Sequence, residues 1–230
     1  YLIAPNVQNT GIITSPQGEI ILAAGRSVEL VDAGTPGLRV EIIAPDSEAL
    51  NVGQIVANSG KIGIYAGLIK NSGVIRADGA VATEDGRIIL KATKDVTLEA
   101  GSVTSASGAK GGSIGIEAQA GLLLASGTIQ AIGTEAQGGD IAINAAWAGL
   151  GGTISADGAA QGGAINVNAG GLSLADRVSA TSLSGKGGDI TLNVARKSWE
   201  TVTSTVDASG ASGGTITHIA GQQITTSGNY

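Results

Sequence analysis

The stretch Gly139-Asp-Ile141-Ala-Ile143-Asn-Ala145 returns as Gly163-Ala-Ile165-Asn-Val167-Asn-Ala169 and again as Gly188-Asp-Ile190-Thr-Leu192-Asn-Val194. In each copy a glycine stands two positions before an apolar residue, and apolar residues then alternate with other types. Alternation at period 2 marks a strand with one buried face. Reading outward, the same wording opens rows at Gly112, Gly86, Gly60 and Gly18 upstream and at Gly214 downstream. Isoleucine fills the first inward position of every row: Ile20, Ile62, Ile88, Ile114, Ile141, Ile165, Ile190 and Ile216. After a first step of 42 residues, the steps run from 24 to 27. Such rows cannot bury an apolar face alone; they do so by stacking on one another.

A second column precedes the first in each row, as Ile or Val followed two residues on by Ala or Ser. It reads Ile13/Ser15, Ile55/Ala57, Ile75/Ala77, Val103/Ser105, Ile129/Ala131, Ile154/Ala156, Val178/Ala180 and Val206/Ala208. A weaker third column reads Val28/Leu30, Val96/Leu98, Leu122/Leu124 and Leu172/Leu174. Nowhere do apolar residues keep a 3.6-residue period for three turns. Three short strands per repeat predict an all-β parallel β-solenoid of about eight coils, roughly 38 Å long at ~4.8 Å per coil. Ala and Ser suit its narrow corners, and the glycine before each Ile suits a bend where a side chain would clash or φ must be positive.

Composition agrees. The chain holds 38 Gly in 230 residues, yet 42% of it is hydrophobic, which argues against disorder. With 4 Pro and no strict glycine period it is not collagen, and without Cys it has no disulfides. The longest apolar run, Ala120–Ala125, is far short of the ~18 residues of a membrane span, so no membrane insertion is expected. A net charge of −6 without a dense basic stretch argues against nucleic-acid partners. Because the chain opens on Tyr1 rather than Met, we expect a segment processed or cut from something longer.

The long first step leaves room for an insertion. Residues 27–43 alternate on both sides of Asp32–Gly37, which is turn chemistry, and predict a β-hairpin projecting from the coil or leaning against it. All Pro lie at or before Pro45. We therefore expect an irregular part over residues 1–99 and a regular Gly/Ala-rich shaft over residues 100–230, continuous with it.

The segment Leu2-Ile-Ala-Pro-Asn-Val-Gln-Asn-Thr-Gly-Ile-Ile-Thr-Ser-Pro-Gln-Gly-Glu-Ile-Ile-Leu-Ala-Ala-Gly25 resembles the filamentous haemagglutinin family, large exoproteins of two-partner secretion in Gram-negative bacteria. It looks like the later half of their N-terminal secretion domain, and Asn51-Val-Gly-Gln-Ile55 and Asn71-Ser-Gly-Val-Ile-Arg-Ala77 look like its following coils. From about Ala100 the likeness is to the looser shaft repeats. The resemblance implies a right-handed parallel β-helix and export through an outer-membrane transporter to the medium or cell surface. It also implies an adhesin-like role, spacing and displaying distal regions, in cell adhesion and virulence. The family's early Asn-Pro-Asn-Leu motif is not in this chain, so transporter recognition is expected mainly upstream of Tyr1.

Residues able to carry chemistry are few. The single histidine, His218, sits at an inward position of the last row and reads as structural. Gly138-Gly-Asp140 and Gly187-Gly-Asp189 come nearest to a calcium-binding repeat but offer one carboxylate per turn. Neither a metal nor another cofactor is expected. A polysaccharide-binding or polysaccharide-cleaving β-helix is the competing reading. Cleavage needs two carboxylates ~5–9.5 Å apart, whereas the equivalent positions Glu19, Lys61, Arg87, Ser113, Asp140, Ala164, Asp189 and Thr215 never place two acids in neighbouring rows. No catalytic residues, and no enzyme, are expected. Asn144, Asn168 and Asn193 share one repeat position and predict a structural amide ladder. Arg196, Lys197 and Trp199 form the basic–aromatic cluster of a presumed loop, a candidate contact for a host-surface protein or glycan. Open edges at both ends predict end-to-end self-association.

Overall fold

The computed structural model describes residues 1–32, 38–43, 46–79 and 86–230. Among them the regular elements are all strands, and apart from one hairpin every pairing between them is parallel. Successive coils lay three strands each onto three faces of a β-solenoid. The first face is the Ile row, running through Glu19–Ala24, Lys61–Ala66, Arg87–Ala92 and onward to Thr215–Ala220. The second face carries Val7–Asn9, Glu48–Asn51, Leu68–Asn71, Val96–Leu98 and later Lys197–Glu200. Between them, Ser113–Ala125, Asp140–Leu150 and Ala164–Leu174 each run round the corner as one long strand. The third face is a separate sheet of 8 strands, from Ile12–Thr14 to Thr205–Asp207.

Register follows the repeat. Ile62 pairs with Ile20 and Ile88, Ile114 with Ile88 and Ile141, and Ile165 with Ile141 and Ile190. These side chains form one continuous core with those of the third face, such as Ile55, Ile75, Ile129 and Ile154, all fully buried. Burying each is favourable by about 1.5–3 kcal/mol. The glycine preceding each Ile is explained by close approach. A Cβ on Gly139 would lie 2.0 Å from the carbonyl oxygen of Gly112, and one on Gly163 2.1 Å from that of Gly139. Backbone stacks on backbone at this corner, with Asp140 N donating to Gly112 O.

The insertion forms an antiparallel pair, Ser27–Asp32 with Leu38–Ile43, whose expected turn lies largely outside the described residues. Its second strand packs on Glu19–Ala24 and Lys61–Ala66, so the hairpin leans on the first face. Ile21, Ala23 and Tyr65 point outward there and are nevertheless buried.

Three local readings need correction. Leu122 and Leu124 point outward, and Leu123, paired with Val96, is the core residue of that row. Three consecutive leucines give no phase, so alternation alone could not choose. Thr104, not Val103, pairs with Ile75 and Ile129 and is fully buried, because the turn before it is longer than its neighbours and holds Gly101 at φ +83°. Val28 and Leu30 belong to the hairpin; the second face there carries Val7 and Asn9 instead.

Candidate functional site

Polar side chains gather in register columns inside and outside the solenoid and around His218 near its last coil. On the second face, Asn9, Asn51 and Asn71 occupy successive inward positions. All are buried, at 7%, 2% and 0% exposure. Asn9 Nδ2 donates to Asn51 Oδ1 at 2.8 Å, and Asn51 Nδ2 to Asn71 Oδ1 at 2.8 Å. The same amides cap the following turns: Asn9 Oδ1 accepts from Gly11 N and Asn71 Oδ1 from Gly73 N, both at 3.2 Å. This internal ladder escaped an apolar pattern search because its residues are polar. Its signal is the recurrent Asn-x-Gly-x-Ile of Asn9–Ile13, Asn51–Ile55 and Asn71–Ile75. Farther along, the column becomes Leu98, Ala125, Leu150 and Leu174, and ends at Glu200.

Outside, Asn144, Asn168 and Asn193 stand in register at exposed positions. Asn168 Nδ2 donates to Asn144 Oδ1 at 3.2 Å, and Asn193 Nδ2 to Asn168 Oδ1 at 3.3 Å. Glu117 precedes Asn144 in the same column and is paired to Lys91 of the coil before it, 3.1 Å away.

Arg196, Lys197 and Trp199 are placed differently from the presumed loop. Lys197–Glu200 is a strand of the second face, with Lys197 and Trp199 outward and Ser198 and Glu200 inward. Polar inward residues hid its alternation. Trp199 is 66% exposed, and Arg196 Nε lies 3.4 Å from Gly170 O.

Ser198 and Glu200 meet His218, which pairs with Leu192 and so faces inward, and Tyr230. His218 Nε2 is 2.9 Å from Ser198 Oγ, while Nδ1 is 2.8 Å from Tyr230 Oη and 3.1 Å from Glu200 Oε1. Tyr230 donates a very short hydrogen bond to Glu200. With the Tyr230 proton directed at Glu200, Nδ1–H is the donating side of the ring and Nε2 accepts from Ser198. Burial holds the His218 pKa below its usual value despite the opposing pull of Glu200. Burial first, then the bond to Glu200, pushes the Tyr230 phenol far above its usual value. The order Ser–His–Glu has the distances of a charge relay. Its hydroxyl, however, points into the coil interior, with Ser198 2% exposed, and the surrounding strand is committed to ladders on both sides. Free N–H donors for an oxyanion are therefore not at hand. The arrangement pairs one oxygen of a buried carboxylate, Glu200 Oε1, at the far end of the column that begins with the buried asparagines, while Oε2 is buried without a hydrogen-bond partner among the described residues.

The column beside the Ile row has the register read from sequence, with Ala164 between Asp140 and Asp189. Among the described residues no three His, Asp or Glu are grouped to hold a metal.

No protein-family profile matches the chain. No curated protein matches it in sequence either. Among solved structures, the crystal structure of the HMW1 secretion domain from Haemophilus influenzae matches at a TM-score of 0.66 and 25% sequence identity. The match covers 99% of this chain and 61% of that one, so the chain spans about three-fifths of that domain's length.

Proposed function

We propose that the chain is part of the β-solenoid of a secreted, adhesin-like exoprotein exported by two-partner secretion. The observation that carries this reading is the likeness of nearly the whole chain to a secretion domain. The Asn-x-Gly-x-Ile rows, where the resemblance to filamentous haemagglutinins is strongest, are also the rows built on the buried amide ladder. In this reading the exoprotein passes an outer-membrane transporter of a Gram-negative bacterium. Released outside the cell, it folds coil upon coil.

The role proposed for the folded segment is mechanical and non-catalytic. Each coil supports its neighbours through backbone ladders and continuous aliphatic columns, giving a shaft that spaces and displays what it carries. Inter-coil ion pairs such as Lys70–Glu99 at 2.8 Å and Arg177–Asp207 at 2.9 Å decorate that shaft.

The test is export of the exoprotein containing this chain from a Gram-negative host with and without its outer-membrane transporter. Transporter-dependent appearance at the cell surface or in the medium is the expected result. Equal amounts outside the cell in both strains would refute the proposal.

A further inference from the structure

We propose that the groove beside Asn144, Asn168 and Asn193, together with the indole of Trp147, is a binding site for a neutral oligosaccharide. The groove is a shallow surface cleft of about 410 Å³ that follows the corner between the first and second faces. Its wall is the exposed Asn column, and its floor is made of small residues, among them Ala145, Ala169 and Gly170.

The ligand chemistry follows from what the ladder leaves unused. An Asn amide has two N–H donors and a carbonyl with two lone pairs. The ladder consumes one N–H each of Asn168 and Asn193, and one lone pair each of Asn144 and Asn168. Remaining donors and acceptors recur once per coil, about 4.8 Å apart. A chain of hydroxyls, each able to donate and accept, matches such a rail. The rail itself is uncharged and Glu117 at one end is paired with Lys91, so the amides call for hydroxyls, and the Arg196 guanidinium nearby can donate to the same hydroxyls.

The second observation is the way Trp147 is held. Trp147 pairs with Gly171 of the next coil, and a Cβ on Gly171 would lie 2.2 Å from ring atom Cζ3. The glycine thus leaves room for the six-membered ring of the indole against the next coil, with Trp147 still 41% exposed. A flat indole offers an apolar platform for the C–H side of a pyranose. Arg196 reaches Gly170, the neighbour of Gly171, and places its guanidinium beside that glycine. The three amides line the cleft, and Trp147 and Arg196 flank it through their contacts with Gly171 and Gly170. The site does not depend on the export proposed above.

The experiment uses Trp199→Phe, which leaves Trp147 as the sole indole of a chain with two. This protein is titrated with cellohexaose, chitohexaose and xylohexaose while Trp147 fluorescence is followed. A saturable change with at least one of them is expected. Asn168→Leu should weaken it at least about ten-fold, and so should Gly171→Ala, which lifts the ring without touching the rail. Circular dichroism of both variants should match the parent. In calorimetry, Trp147→Ala should lose the binding heat. No saturable change with any of the three sugars up to about 10 mM would overturn the proposal. Equal affinity in the Asn168→Leu and Gly171→Ala variants would do the same, as would binding of a heparin hexasaccharide in preference to all three neutral sugars.

Discussion

Replacing Asn51 by Leu isolates what the buried amide ladder contributes. Leucine fits the column sterically, since the same register holds Leu98, Leu150 and Leu174. What changes is hydrogen bonding. Asn9 Nδ2 loses its 2.8 Å acceptor but keeps Gly11 O at 3.3 Å and Gln54 O at 3.2 Å. Asn71 Oδ1 loses its 2.8 Å donor and keeps Gly73 N. The carbonyls of Gly53 and Val74 each lose a 3.3 Å donor. Two short buried bonds vanish while their partners remain, each at about 1–1.5 kcal/mol because part of the pairing survives. The expected loss is therefore about 2–3 kcal/mol, or a fall of roughly 1 M in the urea midpoint. Replacing Asn9, Asn51 and Asn71 together removes the stranded partners as well. The triple variant should accordingly cost clearly less than the three single replacements added up, a coupling of at least about 1 kcal/mol. Urea unfolding followed by circular dichroism measures the parent and all four variants. An Asn51→Leu variant within about 0.5 kcal/mol of the parent, or strict additivity, would refute the ladder's energetic role.

Other consequences are sharper in sign than in size. Gly139→Ala should destabilise by more than about 2 kcal/mol, because its methyl would strike a backbone carbonyl that cannot rotate away. Gly115→Ala, with open space around the new methyl, should be neutral in the same urea assay. Ile141→Asp buries a carboxylate between Ile114 and Ile165 and should abolish the cooperative melt; a native melting curve would contradict the inward assignment. His218 has a folded-state pKa below the unfolded value of 6.5, so the unfolded chain binds the proton more readily. Its contribution is fully present above pH 6.5 and declines as pH falls below it; a parent whose midpoint tracks His218→Gln across pH 7 to about 5 would contradict this. The Tyr230 phenol should stay protonated through pH 11, so Tyr230→Phe should leave the phenolate absorbance rise below that pH unchanged.

Where sequence was enough, side-chain chemistry and face agreed. Ile at the head of every row could only point inward, and the strands, their parallel stacking and the hairpin follow from that. Reading failed where polarity and position diverged. Asn51 and Asn71 are as buried as the isoleucines because the neighbouring copy bonds them, Asn51 through both ends of its amide and Asn71 through its Oδ1, a partner that one row alone does not display. The inward place of Glu200 has no signal in its own row, because its compensation comes from His218 and Tyr230, well downstream in sequence. Leu122 and Leu124 show the opposite failure, where surplus apolar residues left the phase undetermined. The platform under Trp147 was invisible because it depends on a missing atom at Gly171, one coil away.

Continuity of the stack underlies the proposed export and spacing as well as the amide rail, and one distance tests it. Lys70, Thr97, Leu124, Gly149, Ser173 and Trp199 follow one another in register along the outer side of the second face. The chain has no cysteine, so Lys70→Cys and Trp199→Cys accept nitroxide labels at those positions alone. Five coil steps of ~4.8 Å predict a narrow distribution centred near 24 Å by pulsed electron–electron resonance. A broad distribution, or a centre beyond about 35 Å, would contradict an unbroken parallel stack.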